Sequence, residues 1–429
     1  MRILVVGSGG REHALIWKLS KSPRVKEILA APGNAGIATL SRCLDLRADD
    51  IDGIVAAAVK GRSDLVIVGP EAPLTEGIVD RLAAVGIAAV GPTRAAARLE
   101  GSKAFSKEFL ARHGIPTAPF AIFSDPEEAL SHVRSRTGGM VVKADGLAAG
   151  KGVIICATPA EGEEAVRRVM VDREFGAAGD LCLIEDLLVG EEASYLVFTD
   201  GEHVLPMPTA QDHKRAYDND SGPNTGGMGA YSPAPVVSGE LEREVLRRVI
   251  LPTINGMASE GVPYRGILYA GLMITREGPM VLEYNCRFGD PETQPILMRM
   301  QSDLIEPLVA TVEGTVDQVT IRWDPRPSVC VVMAAGGYPG PYGKGEVIKG
   351  LEKAAAMEDV AVFHAGTALQ DGAVVTAGGR VLGVTALGKD VADAVARAYR
   401  AVDVISFAGA HHRRDIAARV LNPKQGGNS

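Results

Sequence analysis

Four short runs in the first hundred residues constrain the fold most. Ile3–Val6, Glu27–Ala30, Leu65–Val68 and Ile87–Val90 read as short buried strands. Helical stretches such as Glu12–Ser20 and Thr75–Val85 lie between some of them. That alternation predicts an open parallel sheet with covering helices. Ligands of such sheets bind beyond the carboxyl ends of the strands. The residues there are Gly7-Ser8-Gly9-Gly10, Pro32-Gly33-Asn34 and Gly69-Pro70-Glu71.

GSGGREH invites a dinucleotide reading but meets it only in part. Gly7 and Gly9 match G-x-G, while Glu12 stands where close helix–sheet packing wants a third glycine. A glycine turn feeding a helix still offers free N–H groups and a positive dipole end to an anion. A substrate phosphate suits it better than a dinucleotide; a tight turn with no ligand is the bland alternative.

The stretch from about Gly101 to Glu313 carries the unusual chemistry. Lys103 opens the amphipathic helix Ala104–His113 and can reach a phosphate. VVKADGLAAGKGVIIC, residues 141–156, then places Lys143, Lys151 and Gly152 between two apolar runs. It is not a P-loop, which needs four residues between its glycines, a Ser or Thr after the lysine, and a helix behind. Only three residues separate Gly146 from Gly150, and both flanks read as strands. A strand–loop–strand of this kind can close over a ligand as a flap, or be an ordinary long hairpin. Next, a strand edge stopping at Glu185 would leave backbone groups free to read a base, with Glu192 near ribose hydroxyls; a charged turn is the alternative. Residues 211–235 are polar with little periodicity, as in a substrate loop. MVLEYNCRF ends a strand with Glu283, Asn285 and Arg287 on one face. Two oxygen donors there suit Mg²⁺, and Arg287 adds an anion clamp. Taken alone, the pattern also suits a solvated strand face.

From about Arg326 a further unit begins, with strands Val329–Ala334, Val360–His364, Ala373–Thr376 and Arg380–Thr385. Ala377-Gly378-Gly379 reads as its hairpin turn, Val391–Val404 as a helix, and no catalytic cluster is visible. The chain has 429 residues, 46% hydrophobic and 23% charged, with a net charge of −8. That acidity argues against broad nucleic-acid binding. Five cysteines stand singly at 43, 156, 182, 286 and 330, so neither a zinc site nor a disulfide framework is expected. MRILVVGSGG is too short an apolar start for a signal peptide, and no run is long enough to span a bilayer. A cytoplasmic protein with no membrane partner is expected.

Together the motifs resemble the phosphoribosylamine–glycine ligases (glycinamide ribonucleotide synthetases) of the ATP-grasp superfamily. The residues that carry this are GSGGREHA at 7–14, APGNAG at 31–36, VGPEAPL at 68–74, LEGSKAF at 99–105 and KADGLAAGKGV at 143–153. DHKR at 212–215, GPNTGGMGAYSPAP at 222–235, EYNCRFGDPETQP at 283–295, MAAGGYPG at 333–340 and FHAGT at 363–367 extend it over nearly the whole chain. The resemblance implies an α/β and α+β multidomain protein. Its units would be a Rossmann-like domain over 1–102, an ATP-grasp domain over 103–325 with a mobile lid at about 122–188, and a β-rich domain over 326–424. It implies that ATP, glycine and 5-phosphoribosylamine yield glycinamide ribonucleotide, ADP and phosphate through glycyl phosphate. Lys103, Lys143, Lys151 and Gly152 match its phosphate-facing positions, Glu185 and Glu192 its adenosine side, and Glu283 and Asn285 its Mg²⁺ or Mn²⁺ ligands. Gly9, Gly10, Asn34, Glu71, Asp212, Lys214 and Arg287 would hold the two other substrates, with Lys143, Lys151, Asp212 and Arg287 nearest the chemistry. A monomer is expected. One departure stands out: Ala216-Tyr217-Asp218-Asn219-Asp220 differs from the family pattern, which leaves that loop's conformation open. An ATP-grasp ligase of another carboxylate, a dinucleotide oxidoreductase built on GSGGREH, and a non-catalytic nucleotide sensor are the competing readings.

Overall fold

The structure is a computed structural model and describes residues 1–147 and 152–421. Lys151 lies outside the described residues. The N-terminal sheet contains β1 Arg2–Gly7, β2 Glu27–Pro32, β3 Arg42–Cys43, β4 Leu65–Val68 and β5 Ala88–Val90. All pairs are parallel, in the order β3-β2-β1-β4-β5. Ile3, Val5 and Ile67 pack with Ala14 and Leu15 of the helix Gly10–Leu19. Leu4, Val6 and Val66 face the other way, toward Ile54 and Ala58 of the helix Ile51–Gly61. Burial on both faces is why these strands read as unbroken apolar runs. The strand order reverses at β1, so the crevice between the turns after β1 and β4 is the topological switch point. The expected helix Thr75–Val85 is instead two helices, Glu71–Thr75 and Ile78–Ala84. Gly77 between them has φ 90°, a left-handed conformation that interrupts the helix.

A four-stranded antiparallel sheet follows: β6 Phe120–Phe123, β7 Met140–Ala144, β8 Val153–Cys156 and β9 Cys182–Asp186, in the order β6-β9-β7-β8. Met140, Val142 and Ile184 pack against Leu130 and Val133 of the helix Pro126–Arg134 and Val166 of the helix Pro159–Val166. β7 and β8 are the two flanks of the Gly/Lys loop. β9 is not the expected free edge; it lies between β6 and β7 and is hydrogen-bonded to both. The body sheet holds β10 Glu191–Thr199, β11 Val204–Pro206, β16 Gly266–Thr275 and β17 Gly278–Asn285, in the order β11-β10-β16-β17.

The stretch 211–235 contains four short strands: β12 Gln211–Asp212, β13 Arg215–Tyr217, β14 Ser221–Asn224 and β15 Gly229–Ser232. β13 and β14 form a hairpin. β12 and β15 instead join β18 Ser328–Ala334, β19 Val360–His364 and β22 Arg380–Leu387 in one sheet, ordered β12-β15-β18-β22-β19. The sheet of the C-terminal unit thus includes the strand that carries Asp212. The helix Val391–Val404 covers it with Ala394, Ala398 and Val402. The expected hairpin at Ala377–Gly379 is corrected: β21 Ala373–Thr376 pairs with β20 Thr367–Gln370, and β22 belongs to the other sheet. Asp371 and Gly372, both at positive φ, make the actual turn, as an Asp-Gly pair favours. Among the described residues, no helix is long and apolar enough to cross a membrane.

Candidate active site

Three groups of charged side chains converge where the lid sheet, the body sheet and the N-terminal turns meet. The first is cationic. Ser102 caps the helix Lys103–Arg112 by accepting from the Phe105 N–H at 3.1 Å. Asp145, just beyond β7, accepts from the Ala104 N–H at 3.0 Å and ties the lid to that helix. Lys103 reaches back to the Gly146 carbonyl at 2.7 Å. Glu185, only 2% exposed, is not at an adenosine-reading edge here. Its two oxygens lie 2.9 Å from Lys107 and 2.8 Å from Lys143. Two ammonium groups share one carboxylate, which leaves a surplus positive charge. Burial lowers the pKa of Lys107 to about 8 despite the pull of Glu185, and burial lowers that of Lys103 too.

The second group is acidic. Glu192 on β10 lies 2.7 Å from Lys214, and Glu283 on β17 lies 4.0 Å from it. Burial works against the Lys214 ammonium, but Glu192, Asp212 and Glu283 outweigh it and raise its pKa well above the usual range. Asp212 beside it is buried. Burial, aided by Glu292, Glu192 and Glu283 and opposed by Lys214, lifts its carboxyl to about 7. Glu283 goes the other way: burial raises it, but Lys214, Lys143 and Lys103 hold it below the ordinary carboxylate range. One cleft thus contains one carboxylate kept ionised and one poised near neutrality.

Arg287 joins the third group. Its guanidinium contacts Glu71 at 3.2 Å, Glu100 at 2.8 Å and the Asn285 side-chain oxygen at 3.0 Å. Burial opposes its charge, yet Glu100 and Glu71 raise its pKa. Arg287 and Arg11 hold Glu71 low against burial, while burial raises buried Glu100.

At the glycine turns, much of the hydrogen-bonding capacity is already used. The Gly9 N–H donates to Glu12 at 2.5 Å, and Arg11 pairs with the same carboxylate. A Cβ on Gly69 would stand 1.9 Å from Glu12 Oε1, so the Glu12 side chain fills the space between the helix Gly10–Leu19 and the turn after β4, where a dinucleotide turn has a third glycine for close packing. Asn34 donates to the Ser8 and His364 carbonyls at 2.8 Å, and its oxygen accepts from the Gly36 and Ile37 N–H groups at 2.9 Å. It pins the turns together. Gly10 needs its missing Cβ because Gln294 Nε2 would lie 2.6 Å from one.

Several residues here escaped the sequence reading. Lys107 sat inside the amphipathic helix pattern, and Glu100 and Glu292 lay within the quoted motifs LEGSKAF and EYNCRFGDPETQP without being singled out. The C-terminal unit, read as free of site residues, contributes Arg380, which donates to the Gly226 and Asp290 carbonyls at 2.6 and 2.7 Å. It also contributes His364, whose N–H donates to His13. Gly152 is buried and its carbonyl accepts from the Ala144 N–H at 2.9 Å. As divalent-cation ligands, Glu283 and Asn285 fit: an ionised carboxylate and an amide oxygen, two residues apart on β17, both partly exposed. The triad Asp200, His203 and Asp317 also groups, but Asp200 already accepts from the Glu202, His203 and Val316 N–H groups.

A flap sheet carrying Lys143, the neighbouring helix with Lys103 and Lys107, and a body sheet carrying Glu192 and Glu283 fit the ATP-grasp class of ligases. Comparisons with known proteins place the chain more closely. Three family descriptions match in order: Phosphoribosylglycinamide synthetase N domain over 1–100, ATP-grasp (A) domain over 101–293 and C domain over 328–419. The chain belongs to the phosphoribosylglycinamide synthetase family. A phosphoribosylamine–glycine ligase of Vibrio parahaemolyticus is 55% identical over 428 residues, covering 99% of this chain and 100% of the relative. One from Pseudomonas aeruginosa is 54% identical over 429 residues, with 99% and 100% covered. The crystal structure of the Thermotoga maritima phosphoribosylamine–glycine ligase superposes with a TM-score of 0.84 at 33% identity, covering 97% of this chain and 100% of that one. The biotin carboxylase domain of Hydrogenobacter thermophilus 2-oxoglutarate carboxylase, with a TM-score of 0.73 at 18% identity over 96% and 91% of the two chains, shares the fold.

Proposed function

We propose that this chain joins glycine to 5-phosphoribosylamine at the expense of ATP, giving glycinamide ribonucleotide, ADP and phosphate, the second step of purine synthesis. The observation that carries the reading is the meeting of the Lys103, Lys107 and Lys143 cations, the Glu192 and Glu283 carboxylates and Arg287 in one cleft of a chain of this family.

A carboxylate oxygen leaves too poorly for direct attack by an amine. Phosphorylation of glycine by the γ-phosphoryl of ATP supplies a better leaving group, and the amine then attacks the acyl carbon. Phosphoryl transfer needs positioning and charge neutralisation more than a protein nucleophile. Lys103, Lys143 and Lys151 face the phosphates, with Gly152 at the flap. Glu185 acts through the two lysines it orients, and Glu192 lies on the nucleoside side. Glu283 and Asn285 hold Mg²⁺ or Mn²⁺, which when bound offsets charge on the phosphate oxygens. Arg287 and Lys214 offer charge to the glycine carboxylate. Asp212, poised near neutrality, takes the proton from the attacking amine. Glu71 and Gly10 line the amino-sugar end, while Gly9 and Asn34 shape it, because their polar groups are committed. Closure of the lid, about residues 122–188, keeps water from the acyl phosphate. The protein works as a cytoplasmic monomer without nucleic acid.

The test is ADP release in a coupled assay with glycine and freshly generated phosphoribosylamine. Turnover should require both. Lys143→Ala and Glu283→Ala should nearly abolish ligation while circular dichroism stays native; near-wild-type activity in both variants would overturn the site.

A further inference from the structure

The stretch Ala216–Asp220 lies in the β13–β14 hairpin. Asn219 and Asp220 adopt φ of 59° and 50°, left-handed values that Asn and Asp tolerate better than most residues. The hairpin docks on the C-terminal segment. Arg413, whose side chain is 1% exposed, donates to Asp220 Oδ1 at 2.8 Å and to the Arg215 carbonyl at 3.2 Å. Its other guanidinium edge is held by Asp415 through two bonds of 2.7 Å. Asp415 in turn accepts from the Asn219 N–H at 2.9 Å. The same segment reaches the strand beside the cleft, where the Ala417 N–H donates to His213 Nε2 at 3.0 Å. His213 stands between Asp212 and Lys214, and alternation turns those two away from it. Tyr399 of the helix Val391–Val404 anchors the segment, donating to the Arg413 carbonyl at 2.7 Å and accepting from the Ile416 N–H at 3.2 Å.

We propose that Arg413 is a positioning residue for ligation, through which the C-terminal segment fixes where Asp212 and Lys214 stand in the cleft. The inference rests on the ligase reading above. A buried guanidinium is costly unless fully paired, and this one has its pairs divided between the hairpin and its own segment. The hairpin carries no ATP-facing lysine, so its displacement acts first on Asp212 and Lys214, which serve glycine and the amine, and reaches the nucleoside side only indirectly, through the Lys214–Glu192 pair.

Arg413→Ala should raise the KM for glycine and for the amine about tenfold or more, with the KM for ATP within about twofold of wild type, and Arg413→Lys should recover part of the loss. In a Lys214→Ala background, Arg413→Ala should add less than about twofold, because the two act on one unit. If Arg413→Ala does not fold, Asp220→Asn, which removes the charge that pairs with Arg413 and with Arg419 and keeps the size, bears the same test. Equal rises for all three substrates, unchanged kinetics, or full multiplication of the effects in the double variant would overturn the proposal. Wild-type ADP release independent of glycine and amine would overturn the ligase reading instead, so the two failures are distinct.

Discussion

Replacing Glu185 by Gln tests the cationic arm of the cleft. The carboxylate is shared by Lys107 and Lys143 at 2.9 and 2.8 Å, and all three side chains are at most 8% exposed. Removing one partner of a buried ion pair typically costs about 3–5 kcal/mol. Here the loss has a ceiling that depends on pH. Lys107 already has its pKa lowered to about 8, so at pH 7 it can shed its proton for about 1.4 kcal/mol. The sign follows from proton counts. In the wild type, Lys107 is protonated in both folded and unfolded states below about pH 8, so it contributes no slope there. Without Glu185 its folded pKa drops further, and the unfolded chain binds a proton that the folded one refuses. The variant's stability therefore rises with pH below 8, by at most about 1.4 kcal/mol per unit, and its deficit shrinks. Urea unfolding of both proteins at pH 6.5, 7.5 and 8.5 measures this. A deficit below about 0.5 kcal/mol, or one that does not shrink with pH, would refute the shared-carboxylate account. ATP affinity, read by calorimetry, should fall in the variant because Lys143 loses its orienting partner.

Two further outcomes follow from titrations in the structure. Asp212, lifted to about 7 by burial and its acidic neighbours, should give kcat/KM for the amine a limb that rises through pH 7, and Asp212→Asn should remove the limb and lower the rate about 10²–10⁴-fold. His13, His213 and His364 are buried, and burial lowers their pKa values to about 3, 3 and 4. Between pH 6.5 and 4 the unfolded chain binds three protons there that the folded chain refuses, while folded Asp212 retains one. The net of two sets an upper bound of about 3 kcal/mol per pH unit on the stability loss on acidification, lessened by the proton that buried Glu100 takes up early in the folded chain, and urea midpoints at pH 7 and 5 measure it. A flat profile would show that these imidazoles are not held neutral.

The parallel sheet was legible because its strands are buried on both faces, which writes continuous apolar runs into the sequence. The flanks of the Gly/Lys loop were legible for a related reason: each is short, apolar and bounded by glycine. The partners of charged groups were not. Glu185 looked like the end of a strand edge, and only the insertion of β9 between β6 and β7 reveals that its carboxylate points at two lysines, one of them in a helix 78 residues earlier. Asn34 read as a ligand because it follows a glycine turn. The distant His364 carbonyl that takes its amide hydrogen has no local signature. The hairpin at 377–379 was misplaced because Gly-Gly and Asp-Gly both signal turns, and pairing outside the segment decides between them.

The C-terminal unit shows the same limit from the other side. It has no acid–base cluster of its own, and sequence inspection alone passes over it. Yet its strand β18 pairs with β15, β15 pairs with β12, and β12 ends in Asp212. Arg380 holds the Gly226 and Asp290 carbonyls, and Arg413 holds the hairpin after Lys214. Each of these contacts fixes backbone and none need touch substrate. The backbone around Asp212 and Lys214 is thus held by a sheet that two segments of the chain build together. Lys214 rests 2.7 Å from Glu192 and 4.0 Å from Glu283, so a substrate carboxylate that takes its charge must compete with two fixed acids, and the sheet sets how far each can yield.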